Sequence, residues 1–115
     1  ILLDDGKFTE DAEIMVLAYG SVARPARQAV KEARRRGVKA GLYRPVTLWP
    51  FPERRVMELA GRVHTFLVPE MNLGQYRLEV ERVVGGGARV KGINWVNGEL
   101  ITPDEILDAI LEVEQ

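Results

Sequence analysis

The chain has 115 residues, 46% hydrophobic and 29% charged, enough for one buried core and too hydrophobic for a disordered tail. Sixteen basic residues nearly balance seventeen acidic ones, so no long-range field favours nucleic acid or an anionic membrane surface, and no apolar run approaches the ~20 residues of a membrane span. With no cysteine, the chain has no disulfide frame, no thiolate ligand for zinc or an iron–sulfur cluster, and no thiol nucleophile.

The first six residues, Ile1 to Gly6, lack an initiator Met and a basic n-region, and read as a cut inside a longer polypeptide. Ile14 to Tyr19 is a continuous apolar run ending at Gly20-Ser21, the pattern of a central parallel strand that leaves its sheet through a tight turn. Ala26, Ala29, Val30 and Ala33 then recur at helical spacing, with Pro25 in the first turn and Gly37 as the stop, which predicts a helix over residues 22–36.

Residues 39–44 read as a second strand and residues 52–60 as a short helix with Val56, Leu59 and Ala60 inward. A third strand runs from His64 to Glu70, ended by Pro69. Leu73, Tyr76, Val80, Val83 and Val84 share one face of the next helix, which Gly85 to Gly87 terminate. Residues 88–93 form a weaker strand, and Asn97-Gly98 carries a hairpin-turn dipeptide. Thr102-Pro103-Asp104-Glu105 is a capping box opening a last helix with Ile106, Leu107, Ile110 and Leu111 inward.

Strand–helix alternation at this spacing predicts an α/β fold, a right-handed parallel sheet with helices on both faces. An antiparallel edge strand comes from Lys7-Phe8 or from the hairpin. Open sheets of this kind bind at the carboxyl ends of their strands. The loops there are residues 19–24, 44–51 and 70–75.

The run from Arg44 to Pro52, which includes the middle loop, spends three of the six prolines, so it is stiff, and it carries Trp49 and Phe51 as rigid aromatics of the kind that anchor interfaces. The alternative is that both rings fold back onto the domain's own core. Gly20-Ser21 before a helix is compatible with anion binding or with Ser21 as a plain helix cap, and it lacks the spacing of a nucleotide fingerprint. Glu70, at the end of a buried strand, reads either as a general acid or base, as the partner of Arg24 or Arg44, or as a cap of the following helix.

His64 has no ligand neighbour in sequence, so metal binding is not expected there. Arg24, Arg27, Lys31, Arg34, Arg35 and Arg36 make the first helix basic. Without aromatic interleaving, and with Glu32 interrupting it, this reads as a solvated face rather than a nucleic-acid contact.

Four segments, residues 12–24, 37–52, 68–75 and 101–106, together resemble the C-terminal domain of the α subunit of 2-oxoacid:ferredoxin oxidoreductases, nearest the 2-oxoglutarate branch. Residues 37–52, with Arg44-Pro-Val-Thr-Leu-Trp-Pro-Phe-Pro52, and residues 68–75, with Val68-Pro-Glu-Met-Asn-Leu-Gly-Gln75, are the specific ones. The resemblance covers essentially the whole chain, residues 1–115, as a single domain similar to the transketolase C-terminal domain. It implies a three-layer sandwich around a mostly parallel five-stranded sheet with an antiparallel edge strand.

It also implies a cytoplasmic enzyme that converts a 2-oxoacid to an acyl-CoA using thiamine diphosphate, magnesium and coenzyme A, with iron–sulfur clusters passing electrons to ferredoxin. None of those cofactors is assigned to this chain, which is expected to be inactive alone and to dock the rest of the α subunit and the β subunit. The expected contact residues are Ser21, Arg24, Arg44, Thr47, Trp49, Phe51, Glu70, Asn72 and Gln75, held by Gly20 and Gly74. The open alternative is an independent module that binds a small anionic or nucleotide-like regulator at Gly20-Ser21.

Overall fold

The computed structural model describes residues 4–70, 75–93 and 101–114. Its elements are β1 (Asp4–Lys7), β2 (Ile14–Leu17), a 3-10 turn (Gly20–Val22), α1 (Ala23–Arg35), β3 (Ala40–Pro45), α2 (Glu53–Ala60), β4 (Thr65–Pro69), α3 (Gln75–Val84), β5 (Arg89–Ile93) and α4 (Pro103–Glu114). Among the described residues the strands form one five-stranded sheet in the order β1-β3-β2-β4-β5. The inner pairs and β4–β5 are parallel, while β1 runs antiparallel to β3 with Asp5 opposite Arg44.

The edge strand therefore comes from the Lys7 side, and Phe8 turns out of it at φ 55°. The Asn97-Gly98 hairpin and Leu73 lie outside the described residues.

Side-chain alternation along each strand sorts the core into two layers. Ile14 and Val16 of β2 face one way with Leu42 of β3 and Leu67 of β4, and they pack against Ala26, Ala29, Val30 and Ala33 of α1 and Ile106 and Ile110 of α4. Met15 and Leu17 face the other way with Tyr43, Phe66 and Val68, against Val56 and Leu59 of α2 and Tyr76 and Val80 of α3. The small alanines of α1 let that helix lie close to the sheet, and β2 and β4 are buried along their whole length, as strands covered on both faces must be.

The capping box forms as its sequence requires. Glu105 N–H donates to Thr102 Oγ1 at 3.2 Å, and Thr102 N–H donates back to Glu105 Oε1 at 3.2 Å. In the last turn of α4 the buried residue is Val113, and Leu111 is only partly covered. The start of α1 differs from a capped one: Ser21 lies inside the 3-10 turn, and no side chain caps either that turn or α1.

Gly41 in β3 sets how closely the chain leaving β1 can approach. A Cβ there would stand 2.5 Å from the Phe8 carbonyl oxygen and 3.2 Å from that of Lys7. Backbone cannot give way as a flexible side chain can, so Gly41→Ala is expected to cost about 1–3 kcal/mol and to lower the melting temperature by at least ~4 °C. Thermal denaturation with an unchanged midpoint would show that this close approach does not matter to the fold.

Candidate functional site

Because β2, β3 and β4 are parallel, their carboxyl ends open on one edge of the sheet, where the expected loops begin. Tyr76, in the first turn of α3, joins the three. Its ring is buried at 2% exposure and lies 5.0 Å from the ring of Tyr19, 5.0 Å from Phe51 and 5.7 Å from Trp49. Its hydroxyl donates to the Leu48 carbonyl at 3.5 Å, and its backbone N–H donates to Glu70 Oε1 at 3.1 Å. Tilted and edge-on rings at these separations each contribute about 0.5–1.5 kcal/mol beyond their buried area. Burial, with Tyr19 and Glu70 adding to it, holds the Tyr76 phenol well above its ordinary pKa.

Trp49 and Phe51 part company. Phe51 is 8% exposed and belongs to the core on the α2–α3 side, whereas Trp49 is 59% exposed. The Trp49–Pro50 peptide is cis. Trp49 rests against Phe51, with ring centroids 6.4 Å apart, and against Tyr76, so it is braced from below with its outer surface open. Phe51 folds back onto the domain's own core, and Trp49 does not.

Glu70 is 2% exposed and caps α3 through Oε1. Among the described residues Oε2 has no hydrogen-bond partner. Burial raises its pKa, and the Tyr76 and Arg77 N–H groups, the Arg77 charge and the Tyr19 side chain partly offset that rise. Its contacts realise the helix-cap reading, and Arg44 meets Asp5, at 3.7 Å, rather than Glu70.

A second group of expected residues collects elsewhere on the same edge. Ser21, Arg24 and Arg44 line a cavity of about 780 Å³ with Gly20 and Arg27, between the start of α1 and the carboxyl end of β3. Thr47 is half-buried and has interactions of its own, and Gln75 is exposed at the start of α3. Asn72 and Gly74 lie outside the described residues.

Sequence reasoning left Tyr19, Tyr76 and Arg27 out of the site. Each has a periodicity that reads as core or as a solvated helix face, and only the polar ends of the two tyrosines in an otherwise apolar setting signalled a further role. Of the rest of the basic helix, Lys31, Arg35 and Arg36 are exposed as on a solvated face, whereas Arg34 is half-buried and donates Nε to the Ala40 carbonyl at 2.7 Å. Arg34 holds Asp11 with Nη atoms at 2.7 and 3.0 Å, and Arg35 and Arg36 both pair with Glu32.

His64 is exposed, with Nδ1 2.7 Å from Thr65 Oγ1. Among the described residues no three His, Asp or Glu side chains gather as a metal site would need, and the chain has no cysteine. Without cysteine the chain offers no thiolate to ligate an iron–sulfur cluster.

Residues 12–106 match the model of the pyruvate:ferredoxin oxidoreductase core domain II. The chain belongs to that family. It is 46% identical over 104 residues to the 2-oxoglutarate synthase subunit KorA of Methanothermobacter marburgensis, covering 90% of this chain and 28% of the relative. It is 44% identical over 104 residues to the ketoisovalerate oxidoreductase subunit VorB of the same organism, covering 90% and 29%. The chain thus spans less than a third of the length of these relatives.

In fold it is similar to 2-oxoglutarate:ferredoxin oxidoreductase from Magnetococcus marinus, with a TM-score of 0.82 at 20% identity over 98% of this chain and 20% of the other. It is also similar to a split-gene transketolase, with a TM-score of 0.77 at 21% identity over 94% and 40%. The mostly parallel sheet with one antiparallel edge strand is the transketolase C-terminal type of fold that the resemblance implied. No helix among the described residues is long and apolar enough to cross a membrane.

Two predictions follow from the split between the rings and from the buried carboxyl. Phe51→Ala is expected to destabilise the protein by about 3–5 kcal/mol, as loss of a buried phenyl does. Trp49→Ala should cost about 1 kcal/mol or less, because most of its surface is already in water. Denaturant titration of both variants checks this, and equal losses would put Trp49 in the core.

For Glu70, a folded pKa raised above the ordinary 4.5 means that the folded state holds the proton more tightly than the unfolded one. Its contribution is fully present below the unfolded value and is lost as pH rises through the folded one. Glu70→Gln keeps the acceptor for Tyr76 and removes the buried charge. Its stability relative to the parent is expected to increase as pH rises above 4.5 and then level off, and a difference that is flat in pH would refute the shift.

Proposed function

We propose that residues 1–115 form one domain of the α subunit of a cytoplasmic 2-oxoacid:ferredoxin oxidoreductase and that its role there is docking rather than catalysis. The full assembly would oxidatively decarboxylate a 2-oxoacid, 2-oxoglutarate being favoured by the KorA relatives, to an acyl-CoA, with the electrons passing to ferredoxin. Thiamine diphosphate, magnesium, coenzyme A and the iron–sulfur clusters belong to other parts of that enzyme in this reading. What this chain's residues do is present a rigid edge to the rest of the α subunit and to the β subunit.

The observation that carries the docking role is Trp49. A large aromatic with 59% of its surface open, yet held by two rings beneath it, loses little freedom when covered, which is the property of an interface anchor. Met57 of α2 and Leu78 of α3, both more than half exposed, add apolar surface to the helices on the same side of the sheet as Phe51 and Tyr76.

The test is Trp49→Ala in the full-length α subunit, co-expressed with the β subunit and followed by native mass spectrometry and dilution. The affinity between subunits is expected to fall by at least ~30-fold, as for an anchor whose truncation costs about 2 kcal/mol or more. Unchanged assembly would remove Trp49 from the interface.

A further inference from the structure

We propose that the cavity between the start of α1 and the end of β3 binds a phosphate monoester, gripped by Arg24, Arg27 and Arg44. This site lies apart from Trp49 and does not rest on the docking reading. It also moves the anion site from the Gly20-Ser21 turn by itself to three guanidinium groups that the fold brings to one cavity from two elements, Arg24 and Arg27 from α1 and Arg44 from β3.

The charge is unbalanced locally, although the chain as a whole carries only −1. Among the described residues, the carboxylate that meets this group is that of Asp5 on β1, with Oδ2 3.5 Å from Arg27 Nη2 and 3.7 Å from Arg44 Nη2. Arg24 forms no ion pair among the described residues and is exposed at the cavity. Three guanidinium charges against one carboxylate leave two positive charges. A phosphate monoester carries about −1.5 to −2 at neutral pH and offers three acceptor oxygens, which matches both the charge and the forked donors of arginine.

The donors are also under-used. The Nε atoms of Arg27 and Arg44 are shut off from water and have no hydrogen-bond partner among the described residues, so both guanidiniums keep N–H groups that an incoming oxyanion can satisfy by drawing the side chains toward it.

The backbone adds to this. Gly20, at φ +62°, lines the cavity with nothing within 4 Å of where a Cβ would stand, so an oxygen can approach the main chain there. No side chain caps the 3-10 turn or the 13-residue α1 that follows, which leaves the positive end of the helix uncompensated. Val22, Pro25, Ile101 and Pro103 supply an apolar wall, and at about 780 Å³ the space exceeds a bare phosphate and accommodates an organic body attached to it.

The experiment is calorimetric titration of the full-length polypeptide carrying this domain with phenyl phosphate, with inorganic phosphate and benzoate as controls, on the parent and on Arg24→Gln, Arg44→Gln and Asp5→Asn. Arg24 is exposed and Arg24→Gln breaks no ion pair among the described residues, and a melting temperature equal to the parent's confirms that the variant is folded. Phenyl phosphate is expected to bind with a Kd of about 1 mM or tighter, more tightly than inorganic phosphate and much more tightly than benzoate. Each arginine variant should weaken binding by roughly 10-fold, the loss of one charge-assisted contact. Asp5→Asn should tighten it, because the competing carboxylate is gone. A merely structural role for Asp5 would not produce that gain. Affinity unchanged in Arg24→Gln and Arg44→Gln, or no saturable binding by the parent, overturns the proposal.

Discussion

Tyr76 is where the carboxyl edge of this sheet is tied together. Its backbone N–H is held by the Glu70 carboxyl at the end of β4, its ring carries Phe51 and Trp49 from the loop after β3 and Tyr19 from the end of β2, and its hydroxyl reaches the Leu48 carbonyl. One residue at a helix start thus fixes the relative positions of three chain segments far apart in sequence. The arrangement has a cost, since Glu70 is buried with one oxygen unpartnered among the described residues. The uncapped turn of a 10-residue helix would otherwise leave its own N–H groups unsatisfied in the same apolar surroundings, so the carboxyl offsets one desolvation penalty with another.

The sheet itself divides the edge into two chemically different halves. Successive residues of a strand point to opposite faces, so Tyr43 enters the core on the α2–α3 side while Arg44 meets the start of α1 on the other. The same β3 therefore supplies an aromatic surface through the loop that follows it and a basic cavity through its last residues. Asp5 reaches that cavity's arginines because β1 pairs antiparallel with β3, placing Asp5 opposite Arg44. The close approach that follows β1 is open only because residue 41 is a glycine.

Much of this architecture is written locally. The buried run from Ile14, the alanine spacing of α1, Pro25 and Gly37 at its two ends, and the Thr102 to Glu105 capping box each depend on neighbours within a few residues, and each forms as expected. The edge strand was less legible, because Asp4 to Lys7 carries no apolar alternation and owes its pairing to β3. Ser21 was misread as a possible cap because its residue type fits that role, whereas the backbone there closes a 3-10 turn in which the hydroxyl makes no cap bond.

By itself the sequence determined the α/β alternation, the loops that meet at the strand ends and the family to which the chain belongs, since periodicity, turn residues and motif strings are properties of contiguous residues. Tertiary structure alone decided which residues of those loops share a site. Trp49 and Phe51 are two residues apart in the same stiff loop, yet one is exposed and one buried, because Tyr76, 25 residues beyond Phe51 in the chain, arrives beneath them. Arg27 looked like one more charge on a solvated helix until β1 and β3 brought Asp5 and Arg44 beside it. Burial and electrostatic pairing are non-local, and only the folded chain assigns them.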